Sequence, residues 1–365
     1  MRRRYRRLLA RAHRLEESEQ WRLAAEAYRA ALDRDDRDPR VHYRLGFVLS
    51  KAGNLIGAVE AYQAAIARDD RSGQWHFRLG RALERTGNWP AARHAYREAE
   101  SRGKPQAPTL EGSPGNQLPY LRRIELNLVD KASYAYGLLR AAESARKLGV
   151  ARITAVELGV AGGNGLVRLE QHAEDVEAMT GVGIDVYGFD TGEGMQPAVD
   201  HRDLPYHFAE GNYRMNVEAL QERLRRAELI LGDAAETFAT FLESDPAPLG
   251  FVSFDMDHYT PTRATLSLLG DGSKEDRFLP RMALYFDDVV GRKGQDYNEF
   301  TGELLAIAEH NREHESVKVA EDRHFRALPL NFGWHHSMYT MHRFAHPEYG
   351  TFVHKAGPSS LSLKA

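Results

Sequence analysis

Residues 153–165 read Ile153-Thr154-Ala155-Val156-Glu157-Leu158-Gly159-Val160-Ala161-Gly162-Gly163-Asn164-Gly165. A short apolar run enters a glycine-rich turn, and helically spaced sequence follows over 166–178. Strand, turn and helix in that order predict the start of a parallel α/β sheet. Glycine lets the backbone approach a ligand, and the helix behind it offers free N–H groups. Four further apolar runs repeat the plan, at 184–189, 228–231, 251–254 and 282–286. Each runs into an acid or a glycine: Phe189-Asp190, Leu231-Gly232-Asp233, Phe254-Asp255-Met256-Asp257 and Phe286-Asp287-Asp288. Ligands of open parallel sheets sit beyond the carboxyl ends of the strands. Packing does not call for carboxylates there, because buried charge is costly unless paired. A ligand site accounts for all five strand ends at once.

Alternation along a strand sends Asp255 and Asp257 to one side. With Asp287 and Asp288 they place four carboxylates at one edge, which repel unless a cation holds them. An all-oxygen set without cysteine suits Mg²⁺ or Mn²⁺ rather than zinc. The structural alternatives for Asp255 and Asp257 are helix capping and a salt bridge to Arg263. Asp190 lies 25 residues beyond Gly165, where an acid can take both hydroxyls of a ribose.

Over about 119–350 the sequence resembles the class I S-adenosylmethionine-dependent methyltransferases. Glu157-x-Gly159-x3-Gly163-x-Gly165 matches their first motif, Asp190 the acid ending their second strand, and Gly232-Asp233-Ala234 the segment beside the adenine. A nicotinamide dehydrogenase of the short-chain class would need Tyr-x3-Lys, and none of the 16 tyrosines has lysine four residues on. Phe189-Asp190-Thr191, the Asp-x-Asp segment and the later Asp-Asp pair resemble the macrocin O-methyltransferase family. That resemblance implies a seven-stranded Rossmann-like domain. S-adenosylmethionine would be held by Glu157, Gly159, Gly163, Gly165, Asp190, Thr191, Asp233 and Ala234. Mg²⁺ would be held by Asp255, Asp287 and Asp288, with Asp257 as the general base. The implied acceptor is a hydroxyl of a sugar, glycan or natural product. Where that family continues with Tyr and a Ser-Thr segment, this chain reads His258-Tyr259-Thr260-Pro261-Thr262.

The N-terminal third repeats with a period of 34. Tyr28, Tyr62 and Tyr96 keep that spacing, as do Ala24, Ala58 and Ala92; Leu45-Gly46 recurs as Leu79-Gly80, and Gly53-Asn54 as Gly87-Asn88. This pattern resembles the tetratricopeptide repeat, with helix pairs expected near 8–34, 42–68 and 76–102, enough for a stable stack. Gly46, Gly80 and Ala12 are expected where helices cross closely, and the three tyrosines are expected to fill gaps between pairs. The resemblance implies a protein partner bound by the repeats. Residues 103–118 have linker composition, and 121–148 carries the apolar spacing of a single helix. The expected organisation is multidomain α and α/β: a tetratricopeptide-repeat α-solenoid over 1–105, a linker over 106–118, the methyltransferase domain over 119–354 and a flexible tail over 355–365.

At 365 residues the chain has room for about two domains. Zero cysteines exclude a disulfide framework, a thiolate nucleophile and an iron–sulfur cluster, and suit a cytoplasmic protein. No run of 18 apolar residues exists, so no membrane span is expected. Residues 1–105 carry 23 Lys+Arg against 14 Asp+Glu, whereas the remainder is acidic. The basic third reads as solvated helix faces rather than a nucleic-acid surface. Two other functions fit the same residues: a repeat scaffold whose α/β domain lacks chemistry, and methylation of a protein docked on the repeats. His335, His336 and His342, in an aromatic-rich stretch, are candidates to line an acceptor pocket, and Arg202-Asp203 lies on the long connection after Asp190.

Overall fold

A computed structural model describes residues 2–103, 107–113, 117–291 and 294–351. The chain parts into two compact units, Met1–Leu128 and Val129–Ala365. The expected tail, 355–365, lies outside the described residues, as do 106 and 114–116 of the expected linker.

The first unit is helical: α1 (Arg2–Glu17), α2 (Trp21–Leu32), α3 (Pro39–Lys51), α4 (Leu55–Arg68), α5 (Gly73–Arg85), α6 (Trp89–Arg102) and α7 (Tyr120–Glu125). The turns inside the second and third pairs use Gly53 and Gly87 at φ 83° and 78°. Asn54 and Asn88 then cap α4 and α6, accepting from Gly57 N and Ala91 N. In the first pair Glu19 takes the same left-handed place at φ 55°. A Cβ on Gly46 would lie 2.7 Å from the Tyr62 ring, and one on Gly80 2.7 Å from Tyr96. Tyr62 and Tyr96 therefore pack on the glycine of their own pair. Gly80→Ala gains about 1 kcal/mol of helix propensity, which offsets the push on Tyr96. Gly80→Val gains less, because a β-branched side chain loses freedom in a helix, adds more bulk against Tyr96, and is expected to lower stability by about 1–3 kcal/mol, read from the helical signal on heating.

The expected single helix over 121–148 is two helices. Asn127 and Lys131 take φ 51° and 45°, and left-handed residues cannot continue a right-handed helix. The first piece, α7, belongs to the helical unit; Arg93 of α6 donates to Leu126 O at 2.7 Å. The described part of the expected linker folds back on itself, with Gln117 Nε2 donating to Ala107 O and Tyr120 N to Thr109 O.

The second unit begins with α8 (Ala132–Leu148). It continues β1 (Arg152–Leu158), α9 (Asn164–Thr180), β2 (Gly183–Asp190), α10 (Val217–Gln221), β3 (Glu228–Leu231), α11 (Ala234–Glu243), β4 (Leu249–Phe254), α12 (Tyr259–Leu269), β5 (Phe278–Phe286), α13 (Gly302–Glu313), β6 (Val317–Glu321) and β7 (Met338–Arg343). The strands form one seven-stranded mixed sheet in the order β3-β2-β1-β4-β5-β7-β6. β7 runs antiparallel to both β5 and β6, and the other pairings are parallel. β4 is buried throughout and β1 after its first residue, as strands covered on both faces must be. Phe189, Phe238, Phe254, Phe286 and Leu266 centre the core. Chain order reverses between β1 and β4, and the crevice beyond that point is where doubly wound sheets bind ligands.

β6 and β7 lie beyond the five expected strands. Arg343, fully buried, ends β7; its guanidinium pairs with Glu275 and donates to Leu269 O and Asp271 O. No helix of the described residues is long and apolar enough to cross a membrane.

Candidate functional site

The three glycines of the first motif admit protein atoms. Gly159, at φ 85°, passes so close to the β4 end that a Cβ would stand 2.0 Å from Asp255 O. A Cβ on Gly163 would meet Leu220 at 2.2 Å, and one on Gly165 would meet Glu157 Oε1 at 1.9 Å. Glu157 is itself buried, 1% exposed. Tyr134 Oη donates to its Oε1 at 2.6 Å and accepts from Ser253 Oγ at 3.0 Å. Burial pushes the Glu157 pKa up to about 7, against the Tyr134 hydrogen bond and the charge of Lys131. Its Oε2 is buried with no hydrogen-bond partner.

Asp190, at the end of β2, clamps the same turn. Its Oδ2 accepts Val160 N at 2.8 Å and Ala161 N at 2.9 Å, and its Oδ1 accepts Gly192 N at 2.7 Å. Asp233 caps α11 by accepting from Ala235 N and Glu236 N.

These ends border a cavity of about 380 Å³, within the range that takes a small molecule. Gly159, Asp190, Thr191, Asp233, Ala234, Asp255 and Asp257 line it. Glu157, Gly163 and Gly165 do not; Glu157 is buried behind the turn, and Gly163 and Gly165 face Leu220 and Glu157. The outer wall is the connection from β2 to α10, through Met195, Val199 and Tyr213. Asp203, fully buried, pins that connection by accepting from Val199 N, Thr260 N and Thr260 Oγ1. This is what the Arg202-Asp203 segment does.

Beside the cavity stands the carboxylate cluster. One oxygen each of Asp255, Asp287 and Asp288 lies within 4.8 Å of the other two. Lys131 Nζ reaches 4.0 Å from Asp255 Oδ2. The Tyr285 hydroxyl donates to Asp287 and the Tyr297 hydroxyl to Asp288. Asp288 N donates to Glu303 Oε2 at 2.9 Å. Asp288 Oδ2 and Glu303 Oε1 are buried with no hydrogen-bond partner.

The electrostatics follow from this crowding. Burial and the charge of Asp287 hold the Asp255 carboxyl well above its usual range. Asp257 is pushed up to about 8 by burial and by the charge of Asp288. Asp288 is raised to about 6 by burial, against the hydrogen bond from Tyr297. Glu303 is held high by burial and by Asp288. Asp257 also sits at φ 62°, a conformation costly for most residues, and such strain concentrates at functional sites.

Neither structural alternative for Asp255 and Asp257 is realised. The N-cap of α12 is His258, without a side-chain cap. Arg263 pairs instead with Glu309 and Glu313. Oxygen-only donors, close-set and partly unpartnered, fit a hard divalent cation.

Tyr134, Lys131, Tyr297 and Glu303 belong to this neighbourhood and were not singled out by sequence. Glu303 reads as an ordinary first-turn acid on α13, and nothing in its spacing marks its burial. None of His335, His336 and His342 lines the cavity. His335 packs against Phe325 and Trp334, and His342 Nδ1 stands 2.9 Å from the Tyr349 hydroxyl.

The tetratricopeptide repeat family matches residues 9–55 and 48–108, so the N-terminal helices are tetratricopeptide repeats. A search of the curated proteins found no match. Among solved structures, the chain is similar to the Yersinia enterocolitica type III secretion chaperone SycD in complex with a peptide of the translocator YopD. Identity is 20%, over 27% of this chain and 74% of that one, with a TM-score of 0.26. PcrH in complex with the chaperone binding region of PopD is similar at 18% identity, over 28% and 77%, with a TM-score of 0.27. The TPR2AB domain of yeast Sti1 in complex with pHSP90 is similar at 17% identity, over 27% and 38%, with a TM-score of 0.26.

Proposed function

We propose that the α/β unit is an S-adenosylmethionine-dependent, Mg²⁺-assisted O-methyltransferase acting on a hydroxyl of a sugar, glycan or natural product, and that the repeats bind a protein partner. One observation carries the reading. The cavity at the sheet's reversal point is walled by Asp190, Thr191, Asp233 and Ala234, and Asp255 and Asp257 bring it to the acidic cluster. Asp255, Asp287 and Asp288 would hold Mg²⁺, whose chemistry is to lower the pKa of a hydroxyl beside it. Asp257 would accept the proton of the acceptor hydroxyl, and S-adenosylmethionine, when bound, would supply the methyl group. Asp190 and Asp233 orient the cofactor through lone pairs left over from their backbone contacts. Glu157 serves at one remove, anchoring Tyr134 and the glycine turn.

The test is calorimetry of S-adenosylhomocysteine binding to the full chain. A micromolar Kd is expected, weakened about tenfold in Asp190→Asn, the loss of one charge-assisted contact. Because Asp190 also ties the turn, the variant's melting curve is recorded beside it. No heat from the wild-type chain at millimolar ligand would sink the methyltransferase reading.

A further inference from the structure

The repeats build one three-part bridge twice and leave it open once. In the first pair, Glu16 Oε2 accepts the Tyr28 hydroxyl at 2.5 Å, and Arg44 Nη1 donates to Glu16 Oε1 at 3.0 Å. Two periods later, Glu84 accepts the Tyr96 hydroxyl at 2.5 Å, and the arginine comes from α7, outside the repeat register: Arg122 Nη2 donates to Glu84 at 3.0 Å. Midway between Glu16 and Glu84, 34 residues from each, stands Ser50. Its neighbours still follow the pattern: Tyr62 corresponds to Tyr28, and Arg78 to Arg44.

The middle place therefore has donors and no carboxylate. Arg78 makes no ion pair among the described residues, and its Nε is buried without a hydrogen-bond partner. Arg85 Nη1 lies 3.2 Å from Ser50 Oγ, adding a second guanidinium. Beside them is an aromatic shelf. Phe47 lies 5.7 Å beneath Arg78 and packs edge-on to Trp21, and Lys51 stands over both rings. The whole stretch 1–105 has nine more basic than acidic side chains. A buried donor left without an acceptor is costly, so the arrangement favours whatever supplies the acceptor.

We propose that the Ser50 place is a receptor for a glutamate side chain of an acidic partner segment, whose carboxylate completes the bridge with the Tyr62 hydroxyl and the Arg78 guanidinium. The occupant is a side chain rather than a chain terminus because the group missing from the repeat is a glutamate side chain. The apolar shelf takes the residues flanking it. This rests on reading the repeats as a protein-binding module and is independent of methyl transfer.

The test uses the full chain and two fluorescein-labelled peptides, acetylated and amidated, with Glu-Ala-Leu or Gln-Ala-Leu repeats. Anisotropy is expected to show the Glu peptide binding at least about tenfold more tightly, as a charge-assisted contact should, with affinity falling as salt rises. Arg78→Gln is expected to remove that preference. Ser50→Glu supplies the carboxylate internally, so it is expected to abolish binding and to raise the melting temperature of the helical unit. Equal binding of both peptides, unaffected by Ser50→Glu, overturns the receptor and leaves the peptide-binding reading intact. Failure of both peptides to bind overturns the two together. A fall in melting temperature in Ser50→Glu shows that the place does not accept a carboxylate, and also overturns the proposal.

Discussion

Asp257→Asn is expected to lower the methyl-transfer rate by about 10²–10⁴-fold, the range for loss of a general base, while cofactor affinity stays within about threefold. Asparagine is the informative replacement for two reasons. It tolerates the left-handed backbone that Asp257 adopts at φ 62°, so the strand end keeps its shape. It also removes the proton acceptor while keeping a side chain of nearly the same size. Its amide can donate toward the cluster, where Asp288 Oδ2 is buried without a hydrogen-bond partner, so the cluster is relieved rather than disrupted. Turnover of a labelled methyl group into an acceptor, beside S-adenosylhomocysteine calorimetry, separates the outcomes. A rate unchanged within about threefold would mean that Asp257 accepts no proton in the reaction.

How much of this could be read beforehand depends on what each residue's signal is made of. The five parallel strands were legible because each is an apolar run that stops at an acid or a glycine. β7 was not, because its buried residues Met338, Thr340, Met341 and Arg343 are neither a continuous apolar run nor a period-two alternation, and Arg343 is buried by partners far away in sequence. The acids of the cluster were visible as Asp-x-Asp and Asp-Asp. Their neighbours Tyr297 and Glu303 were not, since a single acid in a helix's first turn looks like any other. The glycine turn shows the limit most plainly. Its spacing marks close approach but not the approaching group, and for Gly159 and Gly165 that group is Asp255 and Glu157. In the repeats the 34-residue period exposes the small residues, whereas the missing glutamate at Ser50 emerges only when Glu16 and Glu84 are seen bridging Tyr and Arg.

Without a divalent cation, stability of the α/β unit is expected to fall as pH rises from about 5 to about 8, and Mg²⁺ is expected to restore it, most at the high end. The sign comes from Asp257 and Asp288, whose carboxyl pKa values rise from an ordinary 3.8 to about 8 and about 6. Above pH of about 4 the unfolded chain has released these protons while the folded protein keeps them, so each further rise in pH favours unfolding. The loss continues through about 6 for Asp288 and about 8 for Asp257. A tenfold change in a carboxyl's proton affinity on folding corresponds to about 1.4 kcal/mol. Because the carboxyls share protons and Asp257 is partly open to water, the net change is taken as about 2–3 kcal/mol. A cation binds the deprotonated carboxylates, so its affinity climbs over the same interval, by up to about tenfold per pH unit for each proton released. Melting curves of the full chain at pH of about 5, 6, 7 and 8, with and without saturating MgCl₂, measure this directly. Asp288→Asn removes one of the raised carboxyls and is expected to flatten both the pH dependence and the Mg²⁺ response. An equal Mg²⁺ effect at every pH would place the ion elsewhere, because only binding at these carboxylates competes with their protons.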